Sequence, residues 1–202
     1  MRIIKKGLLV LTLSSILMAM QCDKKEIVET HTIELPNLVK IEKNTTKFLV
    51  GDYIIINTSI PNKLTTNDGE NIYITDSFGA NTEDHFVSYE VKLYKFSDKG
   101  QILESNIEDV KIIDGDAVFF DNYPKLFLKN YYKTNIDSLV SKIGIKLSEP
   151  GTYFLKGIYS NNKNKKQNVF ITSLTEPDLE QVTIFTSIVN TGSEGFYKFT
   201  VE

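Results

Sequence analysis

The chain has 202 residues, 41% of them hydrophobic, and a formal net charge of −3. This length suits one β-sandwich or two small domains, and the hydrophobic fraction is sufficient for an ordinary core. The net acidic charge excludes a typical nucleic-acid-binding protein, because neutralising phosphates requires clustered Lys and Arg.

The N-terminal segment has the organisation of a removable export signal. Arg2, Lys5 and Lys6 precede an almost wholly apolar run from Gly7 to Ala19. That run is roughly 13 residues long, whereas a transmembrane helix needs about 20. The pattern therefore predicts a cleaved signal peptide and not a stable membrane span.

Cys22, the only cysteine, lies three positions after the end of this run. The segment resembles the signal peptide of bacterial lipoproteins, in which this cysteine is acylated, with palmitate for example, and becomes the mature N-terminus. The resemblance implies a lipid-anchored protein of the bacterial cell envelope, at the outer membrane. The residue before the cysteine is Gln21, where the lipoprotein pattern usually has a small side chain. An ordinary secretory signal, with an incidental thiol at Cys22, is the alternative.

The sequence is predicted to have three parts, the first of which is removed by cleavage before Cys22. Residues 1–21 are the signal peptide, and their removal takes away three bases and no acid, so the charge moves from −3 to −6. Residues 22–37 are predicted to be the lipidated N-terminus and a tether. Residues 38–202 lack a Pro/Gly/Ser-rich linker, so we expect one β-sandwich domain there, without disulfides.

Strand patterns dominate this domain. Between His85 and Phe96, apolar residues alternate with polar ones, and Ser97 to Gly100 supplies a turn into Gln101–Glu104, which predicts a hairpin. The β-branched run of Asp52–Ile60 predicts a strand covered on both faces. Further strands are expected at Ile72–Thr75, Val110–Ile113, Ala117–Phe120, Ile143–Leu147, Tyr153–Tyr159, Val169–Leu174, Val182–Val189 and Phe196–Val201, with helical turns at Ile136–Ser141 and Pro177–Gln181.

One short segment specifies the type of sandwich. Glu149, Gly151 and Tyr153 lie at alternate positions before a strand. This spacing resembles the tyrosine corner of immunoglobulin-like domains, where the tyrosine hydroxyl bonds to the upstream backbone. Leu155 occupies the position of that family's second cysteine, so no inter-sheet disulfide is expected. The resemblance implies an all-β, antiparallel, immunoglobulin-like sandwich, and a plain turn between unrelated strands is the alternative.

No arrangement for nucleophilic catalysis is found in the sequence. The segment Gly192–Gly195 is a polar turn and not a nucleophile elbow. The two histidines, His31 and His85, lack the spacing of metal ligands. We therefore expect neither an enzyme nor a cofactor.

Two groups of carboxylates allow other interpretations. They contain Asp68, Glu70 and Asp76 in one segment and Asp114, Asp116 and Asp121 in another. Calcium takes six to eight oxygen ligands from such loops, but neither group has EF-hand spacing. Solvated turn acids, with no metal, are the preferred interpretation, and a calcium site or a glycosidase pair are the alternatives.

The segment Asn122–Thr134 is unusually rich in aromatic residues. It carries Tyr123, Phe127, Tyr131 and Tyr132 with three lysines and shows no clear alternation. One interpretation is an exposed loop that contacts a partner protein or a glycan through these four residues. The other is an irregular crossover whose rings cap the core.

These observations predict a lipid-anchored envelope protein that acts as a non-enzymatic binding or accessory module. Its partners would be the membrane, through the lipid, and an envelope protein or glycan. An envelope hydrolase that uses carboxylates and a structural subunit of a surface assembly are the alternatives.

The lipid anchor is tested by Cys22→Ser. Without the thiol no acyl chain can be attached, so we expect fatty-acid labelling to disappear and the protein to leave the membrane fraction. Labelling with radioactive palmitate and fractionation measure both effects. A variant that remains labelled and membrane-bound would disprove the lipoprotein assignment.

Overall fold

The computed structural model describes residues 30–78, 85–120, 123–158, 167–173 and 181–202. Short 3-10 helices lie at Glu42–Asn44 and Ile74–Ser77. None of the helices in these ranges has the length and hydropathy needed to cross a bilayer. The strands, numbered in chain order, are β1 (Thr30–Glu34), β2 (Val39–Ile41), β3 (Lys47–Phe48), β4 (Tyr53–Pro61), β5 (Lys63–Thr65), β6 (Asn71–Tyr73), β7 (Phe86–Phe96), β8 (Ile102–Glu104), β9 (Val110–Asp114), β10 (Asp116–Phe119), β11 (Lys125–Lys133), β12 (Ser138–Lys146), β13 (Gly151–Gly157), β14 (Val169–Ser173), β15 (Gln181–Thr186) and β16 (Tyr197–Val201).

Strand β7 is the centre of the pairing scheme. It pairs with β11 along one edge, and with β14 and then β13 along the other. Further strands are hydrogen-bonded in sequence beyond these neighbours: β16 and then β3 beyond β13, β15 and then β1 beyond β14, and β12, β4 and β2 beyond β11. Buried side chains from all of these arms pack into one hydrophobic cluster, so the protein is an all-β sandwich, as predicted.

The alternation in β7 has the predicted consequence. Val87, Tyr89, Val91 and Leu93 point into the core and are at most 2% exposed. The hairpin that follows is also confirmed, because β8 pairs back onto β7. Gly100 has φ +77°, a conformation that glycine adopts without strain, and its N–H donates to the Ser97 carbonyl oxygen at 2.9 Å.

The tyrosine corner is present. The Tyr153 hydroxyl donates to the Glu149 carbonyl oxygen at 3.0 Å, and the side chain is 4% exposed. Its ring stacks on Phe199 of β16, with centroids 5.6 Å apart and planes 13° apart. Leu155, at the position of the family's second cysteine, is fully buried in the core. Apolar packing therefore takes the place of the inter-sheet disulfide.

The predicted tether is wrong for residues 30–37. Strand β1 pairs in parallel with β15, from Thr30 opposite Gln181 to Glu34 opposite Phe185. The Asn37 backbone N–H then donates to the Ser187 hydroxyl at 3.0 Å. The fold thus begins earlier than the composition indicates, because this pairing joins segments about 150 residues apart, which local patterns do not report.

Three further predictions about local structure are also wrong in whole or in part. In β4, buried and more accessible positions alternate, so the strand has one core face and is not covered on both sides. Ile136–Ser141 is a turn into β12 and not a helical turn, because Ser138–Ser141 pairs with β4. The segment Ile72–Thr75 is a strand only to Tyr73 and continues as the second 3-10 helix. Residues 177–180 of the other predicted helical turn lie outside the described residues, and Gln181 begins β15.

The corner is tested by two substitutions. Tyr153→Phe removes one hydrogen bond and should lower the free energy of unfolding by about 1 kcal/mol. Tyr153→Ala also removes a ring packed on Phe199 and should cost several times as much, about 3–5 kcal/mol. Urea denaturation measures both. Equally small effects would show that the Tyr153 ring does not hold this part of the core.

Candidate binding surface

The aromatic segment Asn122–Thr134 is mostly a strand and not the loop predicted from its sequence. Strand β11 pairs with β7 over seven residues, and with β10 and β12 on its other edge. Leu126, Leu128 and Asn130 are fully buried. The sequence interpretation failed because residues on both faces of this strand are large, which hides the alternation.

The other side of β11 carries aromatic and lysine residues in turn. The series runs through Tyr123, Lys125, Phe127, Lys129, Tyr131 and Lys133, all of them half-buried or exposed. The ammonium groups of Lys125 and Lys129 lie 5.6 Å and 4.7 Å from the ring centroids of Tyr123 and Phe86. Three of the four predicted binding residues, Tyr123, Phe127 and Tyr131, belong to this series.

Tyr132, the fourth predicted binding residue, differs from the other three. Its ring packs against the hydrophobic core, and its hydroxyl donates to Asp137 Oδ1 at 2.8 Å. Through these contacts Tyr132 stabilises the fold, whereas the side chains of Phe127 and Tyr131 face away from the core.

The lysines of β11 are neutralised by neighbouring carboxylates. Lys133 Nζ lies 2.8 Å from Asp114 Oδ1, and Lys129 Nζ lies 3.5 Å from Asp116 Oδ2. The hydrogen bond from Lys133 holds the pKa of the Asp114 carboxyl below its ordinary value. These two acids are therefore engaged by cations. In the parts of the chain that the structure describes, no three His, Cys, Asp or Glu side chains converge as a metal site.

A second aromatic group occupies the same side of the sheet on β7, β13 and β16. Tyr94, Phe154 and Phe196 are half-buried, and Phe96 is 45% exposed. Their ring centroids form a chain of contacts: 5.9 Å from Tyr94 to Phe196, 5.7 Å from Phe196 to Phe154 and 6.3 Å from Phe154 to Phe96.

We call the solvent-directed side chains of β11, β7, β13 and β16, together with Tyr123 and Phe196 at strand ends, the outer face.

Sequence reasoning missed this second group, although the sequence contains its signal. Tyr153 and Leu155 face the core, so the residue between them, Phe154, must face solvent. A large apolar ring such as Phe154 is normally expected at a core position. An aromatic residue at a solvent-facing position of an antiparallel sheet departs from the usual polar alternation. Tyr94 and Phe96 depart from it in the same way on β7.

Two concave regions adjoin the outer face. A hollow of about 380 Å³ lies beside Phe127 and is lined by Ser88, Glu90, Phe170 and Thr172 among others. A groove of about 450 Å³ lies at the tyrosine corner, beside Lys95 and Glu149. There Lys95 Nζ donates to Glu149 Oε2 at 2.6 Å, which lowers the pKa of the Glu149 carboxyl and raises that of the Lys95 ammonium.

The residues considered for catalysis have structural contacts. Gly192–Gly195 is a hydrogen-bonded turn, with the Gly195 N–H donating to the Gly192 carbonyl oxygen at 3.0 Å. The His85 ring stacks on Phe78 at 5.1 Å. The outer face offers rings and ammonium groups, which can bind a partner through apolar contact and charge.

Comparison with known proteins gives a likeness in overall architecture alone. No protein-family model matches the chain, and no curated protein does. Among solved structures, a type II cohesin dyad from the adaptor scaffoldin ScaA of Acetivibrio cellulolyticus is 12% identical, with a TM-score of 0.36, covering 85% of this chain and 48% of that one. A single type II cohesin domain from the cellulosome of the same organism is also 12% identical, with a TM-score of 0.33, covering 83% and 95%. The chain thus spans about half the length of the dyad and is similar to these domains at the level of a β-sandwich.

The ion pair between Lys133 and Asp114 on the outer face is tested by pH titration of Lys133→Met. Because Lys133 depresses the folded-state pKa of Asp114, the pair stabilises the fold at neutral pH, and this contribution is lost as the pH falls through that pKa. The variant should titrate Asp114 at a higher pH and lose less stability on acidification. NMR of the carboxyl carbon measures the pKa. Lys129→Met, on the same strand, is the control; identical titration of Asp114 in the Lys133 variant and wild type would refute the pairing.

Proposed function

We propose that this protein is a lipid-anchored, non-enzymatic binding module of the bacterial cell envelope, which holds a partner against its outer face. One observation carries the proposal. Aromatic and lysine side chains form neighbouring columns on the solvent side of a sheet whose other side already packs a complete core. Such rings are not required for the core, and contiguous exposed apolar surface is typical of interaction sites.

The composition of the face suits recognition of another macromolecule. Aromatic residues are enriched at the centres of protein interfaces and dominate their energetics. Three ring contacts and the cation–π pairs hold the side chains of the outer face in place before a partner arrives. Pairing on both edges of β7 and β11 also fixes the backbone. Little conformational entropy is then lost on binding, which favours affinity.

The proposed anchor would keep this face near the membrane. If Cys22 carries the lipid, residues 23–29 separate it from Thr30, where the described part of the fold begins. At full extension these residues reach about 25 Å at most. A short attachment raises the local concentration of the domain for partners in the same membrane.

Three of the six carboxylates considered for a hydrolase have other roles in the fold, which supports a binding function, and Asp121 lies outside the described residues. Asp114 and Asp116 form ion pairs with Lys133 and Lys129 and also accept backbone N–H bonds at 2.8 Å. Asp68 accepts a hydrogen bond from the Thr66 hydroxyl within its own turn. Each of these three carboxylates thus stabilises local structure.

The proposal is tested by site-specific photocrosslinking in the native host. A photoreactive residue at position 127, on the outer face, should crosslink to a discrete partner, whereas one at Tyr73, a more accessible ring on β6, should not. Tyr123→Ser with Phe127→Thr should weaken capture of that partner by tenfold or more, since each contact aromatic is worth upwards of about 1 kcal/mol.

Circular dichroism and urea denaturation control for folding of the double variant. Both substitutions lie on the side of β11 opposite Leu126 and Leu128, so the core should be retained. Equal crosslinking from positions 127 and 73, or undiminished capture by the folded double variant, would refute the outer face as the binding surface. Turnover of a glycan or peptide by the purified protein would favour the hydrolase alternative.

A further inference from the structure

We infer that the part of the outer face around Phe154 and Phe196 binds an acidic segment of a partner protein. This inference rests on the proposed function and specifies the chemistry of the partner. The residues that carry it are two rings and two lysines, Lys156 and Lys198, on adjacent antiparallel strands. We call these four residues the lysine–phenylalanine patch.

The register of β13 and β16 creates the patch. Phe154 lies directly opposite Lys198 in the pairing, and the Lys198 ammonium is 5.9 Å from the Phe154 ring centroid. One step further along, the Lys156 ammonium is 4.8 Å from the Phe196 ring centroid. Each cation therefore lies over one ring of the pair, and the two phenylalanine rings touch at 5.7 Å. Cross-strand neighbours of this kind stabilise each other and fix the side chains.

The charges of the patch differ from those elsewhere on the outer face. Lys92, Lys125, Lys129 and Lys133 each lie within ion-pair distance of a carboxylate. Among the described residues, no carboxylate lies within that distance of Lys156 or Lys198. An ammonium on a ring face keeps donors directed away from the ring, so a carboxylate can approach it without displacing it. Two lysines without a carboxylate partner, beside four that have one, favour an anionic occupant.

Apolar surface adjoins the patch and indicates a protein segment. Phe96 on β7 and Ile102 on β8 lie opposite each other and are each 45% exposed. Phe96 also contacts Phe154 at 6.3 Å. An occupant that covers both regions must combine carboxylates with apolar groups a few ångströms away. In an extended peptide every second side chain faces the same side, so acidic and aliphatic residues two positions apart supply that combination.

A glycan fits this surface poorly. Sugars stack on open ring faces, but neighbouring rings here are inclined to each other at 72° (Phe154 to Phe196), 57° (Phe154 to Phe96) and 85° (Tyr94 to Phe196), so they form no single flat platform. The Phe154 and Phe196 rings carry ammonium groups over their faces and have no hydroxyl to bond a sugar. An anionic lipid surface would face more of the molecule than the patch, and the net charge of −3 on the chain would repel it, whereas a short acidic segment contacts only the patch.

The test is an NMR titration of the full chain with a defined acidic probe. The probe is the peptide Glu-Glu-Leu-Leu-Glu-Glu-Leu-Leu, each face of which carries both Glu and Leu when extended, and Gln-Gln-Leu-Leu-Gln-Gln-Leu-Leu is its neutral match. We expect the acidic peptide to shift the amide signals of residues 154, 156, 196 and 198, with an affinity at least tenfold above that of the neutral peptide and decreasing as salt is added. Lys156→Glu with Lys198→Glu should lower the affinity at least tenfold, whereas the double arginine variant should retain it.

Lys40→Glu with Lys63→Glu, two exposed positions outside the outer face, is the matched control and should bind as wild type. Circular dichroism confirms that each variant is folded. Equal binding of both peptides, no shift at the patch, or an unaffected Glu variant would each overturn the inference. Binding to vesicles of phosphatidylglycerol and phosphatidylcholine, without binding to the peptide, would assign the patch to a membrane and also overturn it. Crosslinking from position 127 decides the proposed function separately.

Discussion

Strand β7 is the constraint on which the rest of the structure depends. Its 11 residues are paired on both edges, with β11 along one side and with β14 and β13 in succession along the other. The core-directed residues Val87, Tyr89 and Val91 are almost completely buried and fix which side faces the interior. Because a strand has a period of two, that choice also determines which side chains face solvent. The outer face is therefore a consequence of the same register that builds the core.

The same alternation of the strands separates the proposed binding surface from the residues that stabilise the fold. On β13, Tyr153 and Leu155 complete the core, while Phe154 and Lys156 contribute only to the outer face. A substitution on the outer side leaves the inward packing intact. The binding surface can consequently vary without loss of the sandwich, as is common for sites carried on a shared fold.

Patterns confined to a few residues could be predicted from the sequence. The alternation of β7, its hairpin and the tyrosine corner at Tyr153 depend on neighbours within about a dozen positions, and all three are present. Strand β11 escaped prediction because Phe127 on its solvent side is as large and apolar as Leu126 and Leu128 in the core. The parallel pairing of β1 with β15 could not be predicted, since nothing near Thr30 specifies a partner 150 residues away.

The candidate binding surface could likewise be predicted only where its residues are close together in the sequence. The aromatic content of residues 122–134 drew attention to Tyr123, Phe127 and Tyr131, which do lie on the outer face, but it could not separate them from Tyr132, which packs toward the core. The lysine–phenylalanine patch depends on the register between β13 and β16, because Phe154 and Lys198 become neighbours only when those strands pair. Composition contains no information about that register. A surface assembled from several strands is thus less visible in sequence than a motif carried on one.

Hydroxyl-radical footprinting of intact cells against the purified protein tests most directly whether the outer face is covered by a partner. Rates of side-chain oxidation follow solvent access, and Phe96 and Tyr73 are accessible to similar extents in the isolated domain, at 45% and 41%. If a partner occupies the outer face, Phe96 and Phe154 should be oxidised several-fold more slowly in cells than in the purified protein, while Tyr73 reacts equally in both. Equal oxidation of all three in the two samples, or protection of Tyr73 alone, would contradict the assignment of binding to this face.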